Sequence, residues 1–150
     1  MTYHELMQKI KELPGVVFEL KFGDRVFYFN DEWIVQEIID NQARCINRWG
    51  AWLLIDIDKL IPLPTVEQWD EAFKAKSQDL EVHRIRSTYH VYSRSWSYGE
   101  VESVDPKTNP CIACAILYAR VVLGYKLVDG EFVKPEYRKG NADERATNII

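Results

Sequence analysis

Between Cys111 and Leu123 the chain carries a single charged residue, Arg120. Ile112, Cys114, Ala115, Ile116, Leu117, Ala119, Val121, Val122 and Leu123 cover nearly every side of a helix built there. A helix that is apolar all round has to be buried on most of its surface. It therefore needs other elements on more than one side, and it sets the centre of whatever fold the chain adopts. Its ends are legible as well. Asn109 suits the N-cap and Pro110 the first helical position, while Gly124 suits the stop. A chain of 150 residues is long enough to supply the cover, since chains of this size bury about 70% of the surface they expose when unfolded.

The remaining elements follow from periodicity. Thr2 and Glu5 have capping-box spacing, and Tyr3, Leu6, Ile10 and Leu13 fall near one helical face, so residues 3–12 are predicted as a short amphipathic helix ended by Pro14-Gly15. Residues 16–62 read as β. Phe18, Leu20 and Phe22 alternate with charges; Gly23-Asp24 turns; 25–29 returns; Asn30-Asp31 turns again. Segments 32–39, 43–49 and 52–57 complete a meander. Pro62-x-Pro64 marks an internal boundary. Thr65 and Gln68 form a second capping-box match before a helix over 66–76. Residues 80–98 alternate and are predicted as a hairpin bent near Ser87-Thr88, followed by a polar loop over 99–109. After the apolar helix, Asp129-Gly130 signals a tight hairpin, and 135–150 reads as a mobile tail.

The expected class is thus α+β: a short helix, a small β-barrel or meander, a helix, a β-hairpin, the buried helix and a C-terminal hairpin. A meander this short closes most economically by curling into a barrel, which removes its edges. Over 16–62 the order Gly23-Asp24-Arg25-Val26, then Trp33-x-Val35-x-Glu37-Ile38, then Asp58-Lys59-Leu60-Ile61-Pro62 resembles an SH3-like barrel. That fold hosts many functions and implies none. Residues 1–62 and 63–134 are expected to be two parts of one compact unit with a shared core, since each alone is small for a stable one.

Cys111-Ile112-Ala113-Cys114 raises the one sharp chemical question. A thiol in the first turn of a helix lies near unpaired N–H groups that favour the thiolate, and a second Cys one turn on makes a dithiol pair conceivable. Redox motifs of this spacing follow a strand in a βαβ unit. Here a polar loop precedes the motif and the helix is apolar, so packing as small hydrophobes is the favoured reading. The same segment, Thr108-Asn109-Pro110-x-x-Ala113-x-Ala115-Ile116, resembles the last helix of small phage and prophage proteins of the ABA-sandwich type. The resemblance implies a mobile-element origin.

His90, Tyr92, Arg94, Trp96 and Tyr98 alternate, with Arg84 and Arg86 nearby. Such groups stack bases or anchor protein interfaces. Trp49 and Trp52 flank Gly50-Ala51 at an expected hairpin tip, either as an exposed contact or folded back as lids on the core. Asp56 and Asp58 could pair as ligands or acids, but more simply end a strand. His4, His83 and His90 have no evident carboxylate partner. No phosphate loop, nucleophile elbow or zinc-helix motif occurs. No metal or cofactor is expected.

The formal charge of −4 argues against a dedicated duplex-DNA binder. Three cysteines make no disulfide framework, no signal peptide or membrane-length apolar run is evident, and a cytoplasmic location is expected. These features favour a non-catalytic phage or mobile-element accessory protein that binds a host protein, for example as an inhibitor, or that self-assembles. A dithiol redox enzyme at Cys111 and Cys114 is one alternative. A single-stranded nucleic-acid or nucleotide binder is the other.

Overall fold

The computed structural model describes residues 1–134; the tail expected at 135–150 lies outside them. Helix α1 spans Tyr3–Lys11, α2 Val66–Lys74 and α3 Pro110–Tyr118. Both predicted capping boxes form: Thr2 with Glu5 on α1, and Thr65 with Gln68 on α2. Asn109 caps α3 by accepting from the Cys111 N–H at 2.9 Å. Beyond Tyr118 the helix widens into a π-helical turn, Ala119–Leu123, and ends at Gly124 in the left-handed region, φ +81°. The Tyr125 N–H closes that wider turn on the Ala119 carbonyl at 2.8 Å.

The meander is a five-stranded antiparallel sheet in the order β4-β3-β2-β1-β5: β1 Arg25–Tyr28, β2 Asp31–Ile39, β3 Gln42–Asn47, β4 Trp52–Asp56 and β5 Ile61–Pro62. It is not closed into a barrel, because β4 and β5 stay at opposite edges. The first expected strand is also corrected. Residues 16–21 keep their alternation, with Val16, Phe18 and Leu20 half-buried, but they join no ladder. The place beside β1 is taken by β5, which pairs Phe27 with Ile61 and Val26 with Pro62. Phe22, expected on the inner face, is exposed.

Strand β2 explains itself through a bulge. Trp33 and Val35 face inward; strict alternation would next bury Glu37. The register shifts between Val35 and Glu37, so Glu37 turns outward to Arg44 at 2.7 Å and Ile38 lies opposite the buried Ala43. The inner face packs Val26, Trp33, Val35, Ala43, Cys45 and Ile55 with Leu60, against Leu20, Tyr28 and Ile57.

A second sheet, in the order β6-β7-β8, holds β6 Gln78–Ile85, β7 Thr88–Ser95 and β8 Val101–Ser103. Its hairpin turns at Arg86-Ser87, one residue earlier than expected, with Arg86 at φ +60°. Strand β8 falls in the segment read as loop; three residues with one Val carry too little pattern to announce it. The C-terminal hairpin, β9 Lys126–Val128 and β10 Glu131–Val133, turns at Asp129-Gly130 with φ +50° and +80°. Both positive angles are what a two-residue hairpin of this type demands.

The second core gathers Leu6, Met7 and Ile10 of α1, Trp69 and Phe73 of α2, Ala113, Cys114, Ala115 and Leu117 of α3, and Val91 of β7. Alanine and cysteine at the contact positions of α3 let its neighbours approach closely. One polar chain crosses this core. The Trp69 indole N–H donates to the Tyr3 hydroxyl at 2.8 Å, and that hydroxyl donates to the Pro64 carbonyl at 2.7 Å. Separately, Lys11 at the other end of α1 donates to the Asp58 carbonyl and to that of Leu60 at 2.9 Å. Replacing Tyr3 with Phe leaves a buried indole N–H and a carbonyl without their partner. The expected cost is about 1–3 kcal/mol in urea denaturation with unchanged far-ultraviolet dichroism. A Tyr3→Phe chain as stable as the parent would show that this link contributes nothing.

Candidate functional site

Cys111 and Cys114 sit at the start of α3, as the capping residues dictate. Cys114 is fully buried and Cys111 half-buried; neither is in a disulfide. Burial pushes the Cys114 thiol from its ordinary 9.0 to about 12. Burial also raises Cys111, against the opposing pull of the Arg25 charge. A thiol held protonated is a poor nucleophile and a poor redox partner. Cys111 does line a cleft with Tyr3, His4, Arg25, Thr65 and Asn109. The groups there are engaged with one another: Arg25 pairs with Glu32, and the His4 ring stacks on Phe27 at 3.8 Å, both partners lining the same cleft.

The aromatic-basic strand is arranged otherwise than parity along one strand suggests. In the β6–β7 register, Asp79 lies opposite Arg94, Glu81 opposite Tyr92, and His83 opposite His90. Val91 and Ser93 face α3 and are buried, the Ser93 hydroxyl donating to Gln78 at 2.9 Å. His90, Tyr92 and Arg94 therefore face away from the helices, and the residues that join them are Asp79, Glu81 and His83. Arg84 pairs with Tyr89 on the opposite parity, with its guanidinium 6.0 Å from that ring, and Arg86 sits in the turn. Neither belongs to this face.

Strand β7 ends at Ser95, so Trp96 and Tyr98 are turn residues. The turn closes through Gly99, whose N–H donates to the Ser95 carbonyl at 2.9 Å. Trp96 still reaches back to the face, its indole N–H donating to Asp79 at 2.9 Å. Tyr98 stands in solvent. Two further contacts organise the surface: His83 with Glu81 at 3.0 Å, and His83 edge-on to Tyr92 with ring centres 5.9 Å apart. The result is a shallow strip of rings bordered by two carboxylates and one guanidinium. The acidic members were missed in the sequence because a two-residue turn swaps parity between its strands.

Trp49 and Trp52 are both exposed, which decides against their folding back as core lids. Arg48 lies 4.9 Å from the Trp49 ring and Arg44 5.3 Å from that of Trp52. The register continues Trp52 into Ile46 and Ile34 across the outer face, with Leu54 beside them. Asp56 accepts from Gln42 at 3.0 Å and pairs with Lys59 at 3.8 Å, while Asp58 belongs to a short helical turn over Ile57–Lys59. The two carboxylates thus have separate local roles. Among the described residues, no group of three or more His, Cys, Asp or Glu side chains is placed to hold a metal ion. No described helix is long and apolar enough to cross a membrane. No protein-family model, curated protein or solved structure matches the chain.

Two outcomes follow for the thiols. In the native chain near neutral pH, Cys45 and Cys114 should resist a chromogenic disulfide reagent and Cys111 should react slowly; all three should react at once in denaturant. Rapid native reaction of both Cys111 and Cys114, or an oxidised pair between them, would restore the redox reading. The pH dependence has a definite sign. The unfolded chain ionises Cys114 near its ordinary 9.0 while the folded chain keeps the proton until about 12, so stability falls as pH rises through that window. Cys45, Cys111 and Tyr118 are raised by burial too and act in the same direction. Cys114→Ala should flatten part of the alkaline slope in urea midpoints, and an unchanged slope would remove Cys114 as a contributor.

Proposed function

We propose that this chain works by binding another protein, with the outer face of β6-β7-β8 as its contact surface. The observation that carries this reading is the composition of one continuous face: Tyr92, Trp96 and Arg94 beside Asp79, Glu81, His83 and His90. Tyr, Trp and Arg are the residues that most often dominate interface energetics. Their rings supply area with little rotamer entropy to lose, and the carboxylates suit a partner that presents cationic groups. The same carboxylates weigh against single-stranded nucleic acid, whose phosphates they would repel, and the net charge of −4 points the same way. Protonated, buried thiols weigh against the redox alternative.

The wider reading is that of a cytoplasmic accessory protein of phage or mobile-element type, for example an inhibitor of a host protein. Its support is the resemblance carried by Thr108-Asn109-Pro110-x-x-Ala113-x-Ala115-Ile116, and gene neighbourhood tests it. We also read the five-stranded sheet as an SH3-like arrangement left open between β4 and β5. The supporting feature is the order: a loop, the β1–β4 meander, a short helical turn, and β5 returning beside β1.

The contact surface is tested by capture of host proteins on immobilised chain, comparing substitutions on the two sheets. Tyr92→Ala and Trp96→Ala should each weaken a captured partner by about 2 kcal/mol, roughly thirty-fold in Kd, without loss of fold, since both side chains reach solvent. Trp49→Ala should leave that partner bound. Capture indifferent to Tyr92 and Trp96 would move the contact elsewhere. In parallel, single-stranded oligonucleotide at low salt should leave tryptophan fluorescence unchanged; quenching that high salt abolishes would favour the nucleic-acid alternative.

A further inference from the structure

We propose that β4 pairs edge to edge with β4 of a second copy of this chain, antiparallel, about a two-fold axis at Leu54. The phase of the β3–β4 ladder supplies the first argument. The Asn47 N–H donates to the Ala51 carbonyl at 3.0 Å at one end, and the Ile57 N–H to the Asn41 carbonyl at 2.8 Å at the other. Antiparallel pairs alternate between bonded and non-bonded. Leu53 and Ile55 are therefore committed to β3, and Trp52, Leu54 and Asp56 turn their N–H and C=O groups out of the sheet. Among the described residues nothing pairs with that edge.

The other edges of the two larger sheets are guarded and this one is not. Strand β5 has two residues, one of them Pro62, which has no N–H to offer. Strand β8 has three residues, and β6 carries Asp79, Glu81, His83 and Arg84 along its length. Short, charged or proline-bearing edges discourage pairing, whereas a long apolar edge invites it. Strand β4 instead presents Trp52, Leu53 and Leu54 in succession, 53%, 41% and 50% exposed.

The strand is also self-complementary, which selects a second copy over an unrelated strand. Pairing centred on Leu54 sets Trp52 opposite Asp56 of the second copy and Leu53 opposite its Ile55. Every outward N–H and C=O of Trp52, Leu54 and Asp56 then meets a partner. Charge agrees with this direction. Arg48 lies by Trp49 at the Trp52 end of the strand, and Asp56 and Asp58 lie at the other; Arg44, opposite Leu54 in the register and paired with Glu37, lies near the axis with its guanidinium leaning toward Trp52. Antiparallel pairing brings the arginine end of each copy to the aspartate end of the other, and the symmetry makes the match twice. Two cations stand at that end as well: Lys59, already paired with Asp56, and Lys11, held by the Asp58 and Leu60 carbonyls. Strand β4 belongs to the sheet remote from the β6-β7-β8 surface, so this inference and the proposed function can fail separately.

Sedimentation of the full chain from micromolar to millimolar concentration tests it. The expected result is a concentration-dependent species of twice the 17.6 kDa chain mass. Leu54→Lys should abolish that species, and Ile34→Lys, on the same outer face but inside the sheet, should leave it. Directly opposed bonded residues have Cα atoms about 5.5 Å apart, within disulfide reach, so Leu54→Cys should cross-link under mild oxidation and Ile34→Cys should not. This second arm decides the matter even if the lysine variant fails to fold. Amide exchange at Trp52, Leu54 and Asp56 should slow only as the dimer forms. A chain monomeric over the whole range, a dimer indifferent to Leu54→Lys, a Leu54→Cys chain that does not cross-link, or amides equally protected in dilute chain would each overturn the proposal.

Discussion

Burial of α3 needs cover on more sides than one sheet can supply, and the elements around it are placed accordingly. Strand β7 takes one side through Val91 and Ser93, α2 another through Trp69 and Phe73, and α1 a third through Leu6, Met7 and Ile10. Tyr118 illustrates how closely they meet, lying 5.3 Å from both the Trp69 and Phe73 rings, edge-on to the latter. The arrangement works because the α3 residues at the contacts are small: Ala113, Cys114, Ala115 and Ala119 are all fully buried. Larger side chains there would push three neighbours apart at once, in an interior that tolerates overpacking poorly. The thiols are part of this geometry, which is why they pack where their spacing suggests chemistry.

Covering α3 also determines which surfaces are left for contact. Once β7 turns Val91 and Ser93 inward, pleating obliges His90, Tyr92 and Arg94 to face water, and the hairpin register brings Asp79, Glu81 and His83 beside them. The five-stranded sheet has its own core on one face, so its other face keeps Ile34, Trp52 and Leu54 in solvent wherever α1 does not reach. The molecule thus presents two unlike surfaces: a ring-lined strip of mixed charge and an apolar sheet face with an open edge.

Much of this was legible in the sequence because local signals agreed with the final packing. Thr2 with Glu5, Thr65 with Gln68, and Asn109-Pro110 each start a helix where expected, and Asp129-Gly130 turns where expected. What was hidden depended on partners distant in the chain. The alternation of 16–21 is real, yet only the return of β5 decides that it stays outside the ladder. The Gln36 bulge is unreadable from Trp33-Ile34-Val35-Gln36-Glu37 alone, because it exists to keep Glu37 out of a core formed with later strands. The acidic half of the β6-β7 face was obscured by its turn: a two-residue turn sets odd-numbered residues of β6 beside even-numbered residues of β7, so parity read straight along the chain groups the wrong side chains.

Strand β1 has a consequence of its own. Val26 points into the core of the five-stranded sheet, while its neighbour Phe27 packs against the helical core and stacks on His4. Leu60 and Ile61 divide in the same way just before and within β5. A single thin partition therefore serves as a wall of both chambers. Close-packed interiors transmit displacement instead of absorbing it. Any shift of this partition has to be accommodated on both sides together, so the two halves communicate mechanically through a shared strand, as two rooms do through a common wall.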